Sequence, residues 1–218
     1  MNVIGVASGK GGVGKTATSV NLAVSLALRG QKVMLFDADL GLANAQLALG
    51  CTTEFNFSHV LSGEKTLDEI IVTTRQGIRL VPGASGVQKL ASLGEAEAAA
   101  IVQVFSSIEE EIDYLIVDSA AGISNSVLTF MQASQRRLIV LRDEPSSIAD
   151  AYGLIKVMTT EQGLDDIYLV PNFISEGYFT GTVIPRELSL DGRVTRRGNK
   201  TIRFCEPVGN HSSMTSLL

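Results

Sequence analysis

Short apolar runs alternate along the chain with stretches whose apolar residues recur every three or four positions. The runs at 3–7, 32–37, 78–81, 113–118, 137–142 and 167–171 predict strands. The longer period predicts helices at 15–29, 43–49, 95–110, 124–134 and 146–162. Arg29-Gly30 closes the first helix with a basic last-turn residue followed by the usual left-handed stop residue. Ser146-Ser147 caps the last one, whose apolar residues fall at 148, 151, 154, 155 and 158. Tyr114-Leu115-Ile116-Val117 is apolar toward both faces, as a strand covered by helices on both sides must be. Strands alternating with helices predict βαβ units, hence an α/β fold with a mainly parallel sheet.

That regularity stops before the end of the chain. From Ser175 onward Gly, Thr and Arg are frequent and no run keeps a period of 2 or 3.6. Residues 1–174 therefore read as one domain, and 175–218 as an atypical tail expected to be poorly ordered. There is no internal repeat and no linker.

Composition narrows the classes. The 218 residues are 45% hydrophobic and 19% charged, as in a globular domain large enough to bury a sizeable core. A net charge of −5 speaks against sequence-independent nucleic-acid binding by the whole surface, although Arg193 to Lys200 is locally basic. Cys51 and Cys205 are far apart and fit no metal or redox spacing, so a reduced, cytoplasmic setting is expected. No apolar run approaches the roughly 20 residues that span a bilayer. Val3-Ile4-Gly5-Val6-Ala7 follows Met1 at once, without the charged lead of a secretory signal, and reads as a strand.

The chemistry concentrates at Gly9-Lys10-Gly11-Gly12-Val13-Gly14-Lys15-Thr16, a G-x-x-x-x-G-K-[ST] pattern between a predicted strand and a predicted helix. Glycines let the backbone of such a loop wrap a phosphate with several N–H groups, and the helix start adds its positive dipole end. Gly11, Gly12, Val13, Gly14, Lys15, Thr16 and Ala17 are thus the candidate phosphate binders. Lys15 reaches the phosphates and the Thr16 hydroxyl ligates Mg²⁺. Gly9, Gly11 and Gly14 also spell the dinucleotide fingerprint, with Asp37 where a ribose-binding acid would sit. A dinucleotide turn has no use for Lys15-Thr16 at the helix start, whereas a triphosphate–metal site needs both. Asp118, closing a buried strand, supplies the second acid that such a site uses to organise the metal. The expected fold is the three-layer P-loop NTPase fold. The guanine-reading N/T-K-x-D segment does not occur, so ATP is the expected nucleotide and Mg²⁺ its cofactor.

Lys10, at the second position of the loop, makes the motif resemble the deviant Walker A of the MinD/ParA family. That resemblance implies a dimer formed on ATP, with Lys10 acting in trans on the partner's phosphates. Asp37-Ala38-Asp39-Leu40-Gly41-Leu42-Ala43-Asn44 resembles the first switch of the flagellar-number branch (FlhG or FleN). Asp39 would then orient the attacking water and Asp37 support the metal shell. Asp118-Ser119-Ala120-Ala121-Gly122-Ile123 is similar to the second switch, and Asp143 to Tyr152 and Ile78 to Gly86 are similar to further segments of that branch. By the wider family pattern Asp150 pairs with Lys10 in the monomer, and Asn172 contacts adenine. The likeness runs from about Val3 to Asn172.

Two departures qualify it. The branch's N-terminal extension, which stimulates a GTPase of the signal-recognition class, is not seen ahead of Val3. Residues 175–218 do not follow the relatives' further strand, helices and amphipathic membrane-binding helix, so the C-terminal part is expected to be incomplete and the sheet to lack its last strand. Arg142 is a charge at a strand end where a small or apolar residue is expected. The function implied is a slow ATPase switch that regulates flagellar number or placement. Alternatives are a MinD-like division-site ATPase and a nucleotide-binding regulator without turnover. Expected partners are a second copy and a flagellar GTPase or regulator, with no specific nucleic acid. The inner membrane or cell pole is the peripheral site the resemblance suggests, although no C-terminal amphipathic helix is read.

Overall fold

β-Branched and other apolar residues in unbroken runs make the central strands. Asn2–Ser8 (β1), Val33–Ala38 (β2) and Tyr114–Ala121 (β5) are buried over most of their length. The computed structural model describes residues 1–39, 44–83, 100–101, 103–105 and 111–172, with the backbone of 195–197 and 200–204. The remaining strands are Val72–Thr73 (β3), Arg79–Val81 (β4), Arg136–Leu141 (β6), Ile167–Pro171 (β7), Thr195–Arg197 (β8) and Lys200–Phe204 (β9). Among the described residues they form one sheet ordered β3-β4-β2-β5-β1-β6-β7-β9-β8. Every pairing from β4 through to β9 is parallel, and the antiparallel β3 and β8 close the two edges.

Among the described residues the helices are Lys15–Ala27 (α1), Ala45–Ala48 (α2), Phe57–Leu61 (α3), Leu67–Ile70 (α4), Asn125–Ala133 (α5) and Pro145–Thr160 (α6), with further helical residues at 100–101 and 103–105. Alternate residues of each strand feed two separate cores. Val33 and Leu35 pack with Leu22, Ala23 and Leu26 of α1, whereas Met34 and Phe36 pack with Phe130 and Met131 of α5 and Leu154 and Ile155 of α6. Period 2 along a strand thus gives helix on both faces, the three-layer α/β arrangement expected from the sequence. Phe36 anchors the second core, its ring centroid 4.9 Å from that of Phe57 and 4.7 Å from that of Phe105.

Two expectations need adjustment, and two segments lie partly or wholly outside the described residues. The predicted helix 95–110 is described only at 100–101 and 103–105, where it is helical, and Ala84-Ser85-Gly86 lies outside the described residues. The short α3, α4 and β3 carry no periodic signal, because elements of two, four or five residues cannot display a period. The sheet also does not end at β7. β9 pairs with it in parallel, Ile167 opposite Ile202 and Leu169 opposite Phe204, so the expected missing strand is present in backbone. The alternation Thr201-Ile202-Arg203-Phe204 is too brief to register as a sustained pattern.

The order β2-β5-β1-β6 creates the place for a ligand. β1 lies between β5 and β6, and the chain leaves it toward β2 first and β6 later, which makes a crevice at the carboxyl ends of these strands.

Candidate functional site

The crevice is where β1 runs into the glycine loop. Gly12 and Gly14 have φ of 76° and 89°, the left-handed region that favours glycine, and Gly14 is the N-cap of α1. No side chain caps this helix and no acid sits in its first turn, so the helix start is left to an incoming anion. Gly9 is needed for a different reason. A Cβ there would stand 2.2 Å from the carbonyl carbon and 2.3 Å from the oxygen of Asp150, so only glycine lets the loop lie against the backbone of α6.

Inside the loop Lys15 turns down into the protein and is 8% exposed. Its ammonium makes a 2.8 Å ion pair with Asp118 Oδ1, which also accepts a 2.9 Å bond from the Ser19 hydroxyl. Asp118 Oδ2 is buried and accepts no bond from the described residues. Asp118 lies between two neighbours in register, Val6 on β1 and Asp37 on β2. Pairing β2 with β5 therefore brings two carboxylates abreast at the strand ends. Asp37 accepts bonds from the main-chain N–H of Asn44 (2.9 Å) and Ala45 (2.8 Å) on Oδ2 and from that of Asp39 (3.3 Å) on Oδ1. Burial pushes its carboxyl up to about 7, against the pull of the Ala45 N–H; Asp118 adds to the rise and Lys15 opposes it.

The donor set fits Mg²⁺. A buried carboxylate oxygen without a partner, a second carboxylate beside it and the half-buried Thr16 at the helix start are hard oxygen donors, few in number. Magnesium in phosphate sites takes one or two carboxylates and completes its shell from phosphate and water.

Asn172 follows β7 and joins the site through the loop. Its side-chain amide donates to the Val13 carbonyl at 2.9 Å and its main-chain N–H to the Leu141 carbonyl at 2.8 Å. Gly11, Gly12 and Ala17 are exposed, Val13 is buried, and Asp39 is half-buried at the end of β2. Residues 40–43 of the first switch lie outside the described residues. In the second switch, Gly122 donates its N–H to the Ser8 carbonyl at 2.8 Å, tying the end of β5 to the start of the loop.

Lys10 does not pair with Asp150, and that expectation is corrected. Its ammonium reaches Glu144 Oε2 at 3.4 Å and the Ser146 hydroxyl at 2.8 Å. Asp150 sits a turn further along α6 with its main chain against Gly9, while Lys10 extends toward the first turn. Glu144 also faces Arg142, Oε1 to Nη2 at 3.3 Å, which gives that unexpected arginine a partner. Ser19, Glu144 and Ser146 join the site without having been given a role there by the sequence, although Glu144 and Ser146 fall in the Asp143 to Tyr152 segment. Ser19 alone carried a usable signal, four residues after Lys15 on one helix face.

A family model described as an AAA domain matches residues 1–166. A second, described as CbiX, matches 144–218, a minority of the chain. The chain is 45% identical over 172 residues to the antiactivator FleN of Pseudomonas aeruginosa, covering 79% of this chain and 61% of that protein. It is 40% identical over 173 residues to the flagellum site-determining protein YlxH of Helicobacter pylori, covering 79% and 58%. The chain thus spans about three-fifths of the length of these relatives. Among solved structures, MinD from Pyrococcus horikoshii complexed with Mg-ADP superposes with a TM-score of 0.69 at 27% identity, covering 85% of this chain and 74% of that one. With the phosphate loop, its second lysine and the paired strand-end acids in place, the chain belongs to the MinD/ParA family of P-loop ATPases, in the FleN/FlhG branch.

Proposed function

We propose that this chain is a switch that binds ATP with Mg²⁺, pairs with a second copy when ATP is bound, and hydrolyses the nucleotide slowly. The observation that carries the reading is the pairing of two lysines in one loop with opposite dispositions. Lys15 is buried on Asp118, and Lys10 lies at the lip with 41% of its side chain exposed. A buried lysine serves the chain's own nucleotide, and an exposed one is available to another.

In this reading the loop N–H groups from Gly11 to Ala17 cradle the phosphates, and Lys15 exchanges Asp118 for phosphate oxygens. Thr16, Asp37 and Asp118 would hold Mg²⁺, which when bound neutralises charge on those oxygens. Asp39 orients the attacking water. Asn172 holds the loop through Val13 and stands at the adenine side. Lys10 leaves Glu144 and Ser146 for the partner's phosphates, adding the positive charge that an arginine finger supplies elsewhere. The exchange is balanced for Lys15: each position offers its ammonium an anionic oxygen in a dry setting.

The cellular role we infer is regulation of flagellar number or placement, supported by 45% and 40% identity to the two flagellar relatives. The partners are a second copy and a flagellar GTPase or regulator. The working place is the cytoplasm, the inner-membrane surface or the cell pole; no described helix is long and apolar enough to cross a membrane. Size-exclusion chromatography with ATP, with ADP and without nucleotide is the test, on wild type and Lys10→Ala. A dimer only for wild type with ATP is expected; a monomer in all three conditions would sink the switch reading. Deleting the gene should change flagellar number, whereas misplaced division septa would point to the MinD-like role instead.

A further inference from the structure

Lys10 is held by a carboxylate that has a second cation to serve. Glu144 Oε2 is 3.4 Å from Lys10 Nζ, and Glu144 Oε1 is 3.3 Å from Arg142 Nη2. Both distances exceed the roughly 2.7–2.9 Å of a tight charge-assisted bond. One negative charge is divided between two positive ones, so neither is held strongly. All three side chains are between 38% and 41% exposed, where a single pair is worth little and a third charge decides the balance.

Arg142 is fixed for this task. Its main-chain N–H donates to the Ser147 hydroxyl at 2.9 Å, at the junction of β6 and α6. For Lys10, by contrast, the other acceptor among the described residues is the neutral hydroxyl of Ser146, at 2.8 Å.

We propose that Arg142 is a positioning residue for Lys10 and acts through Glu144. By sharing that carboxylate it weakens the hold on Lys10 and keeps the lysine ready to leave for a second copy's phosphates. The last clause rests on the dimer reading; the competition for Glu144 does not. Without Arg142 the full carboxylate charge falls on Lys10, and the lysine becomes harder to free. Without Glu144 both cations lose their shared anchor, and Arg142 no longer bears on Lys10 at all.

The test uses wild type, R142L, R142K, E144Q and the double variant R142L/E144Q. In the nucleotide-free chain, the rate at which a small amine-reactive ester acylates Lys10 is followed by mass spectrometry and normalised to exposed Lys156. R142L should slow labelling of Lys10 by about two- to fivefold, the effect of strengthening one exposed pair. R142K should restore the wild-type rate, E144Q should exceed it, and the double variant should behave as E144Q. Labelling in R142L as fast as in wild type would overturn the proposal. So would an equal slowing in the E144Q background, because Arg142 would then act by another route. The ATP concentration for half-maximal dimer should move in step, up for R142L and down for E144Q. If labelling follows the pattern while wild type never dimerises with ATP, the switch reading fails and the competition for Glu144 stands.

Discussion

Asp37 is the residue at which burial and function conflict most openly. Its carboxyl sits at about 7 in the folded chain, against 3.8 for an ordinary aspartate. The folded protein therefore keeps a proton that the unfolded chain has already lost across that window. Stability should be fully present below about pH 4 and decline as pH rises toward 7. Urea midpoints measured from acid to neutral pH should fall accordingly, and Asp37→Asn should flatten the trend; a midpoint that rises over the window would contradict this assignment. Lys15 carries the opposite kind of risk. Removing it by Lys15→Ala leaves Asp118 buried without its counter-charge, which should lower stability by about 3–5 kcal/mol in urea titrations. Lys15, Asp37 and Asp118 were legible in the sequence because each closes or opens a predicted element. The partner of Lys10 was not. Glu144 stands just before α6 and Asp150 more than a turn into it, and which of them meets the Lys10 side chain depends on how Gly9 seats on α6.

Elements are where this seating is decided. Gly9→Ala would drive a methyl group into the Asp150 carbonyl and force the loop away from α6. A loss of about 1–3 kcal/mol is expected, the usual cost of overpacking, together with weaker ATP binding by calorimetry. Arg137 does comparable work at the far end of the sheet. Its guanidinium donates to the carbonyls of Met131 (2.8 Å), Ser134 (2.6 Å) and Asp165 (2.7 Å), joining the end of α5, the start of β6 and the turn before β7. Arg137→Met takes this donor from the Ser134 and Asp165 carbonyls and leaves Met131 with the longer 3.3 Å bond from the Ser134 N–H, which should cost about 2–3 kcal/mol in urea titrations. The long strands and helices could be read from periodicity alone. The short ones carried subtler signals. Thr66 and Glu69 form a capping box at the start of α4, a T-x-x-E pattern present in the sequence, whereas in α3 His59 takes the place of the acid opposite Asn56.

Across the protein as a whole, one sheet order places every group of the site. β5 between β2 and β1 sets Asp118 beside Asp37 and beneath Lys15, and β6 next to β1 brings Glu144 and Ser146 up to Lys10. The strand order itself could not be read from the sequence, since pairing between segments as distant as Lys32 and Asp113, 81 residues apart, leaves no local pattern. The family resemblance supplied what periodicity could not. β9 alongside β7 then extends the sheet past the point where the sequence pattern failed. The proposed switch concerns two copies: Lys10 of one would complete the site of the other. The deciding experiment is phosphate release from ATP with Mg²⁺ over a rising series of protein concentrations, for wild type and Lys10→Ala. The rate per molecule should climb with concentration in wild type and fall at least about tenfold in the variant, as when a charge on the transferring phosphoryl group is removed. A rate per molecule that is constant with concentration and unchanged in Lys10→Ala would refute it.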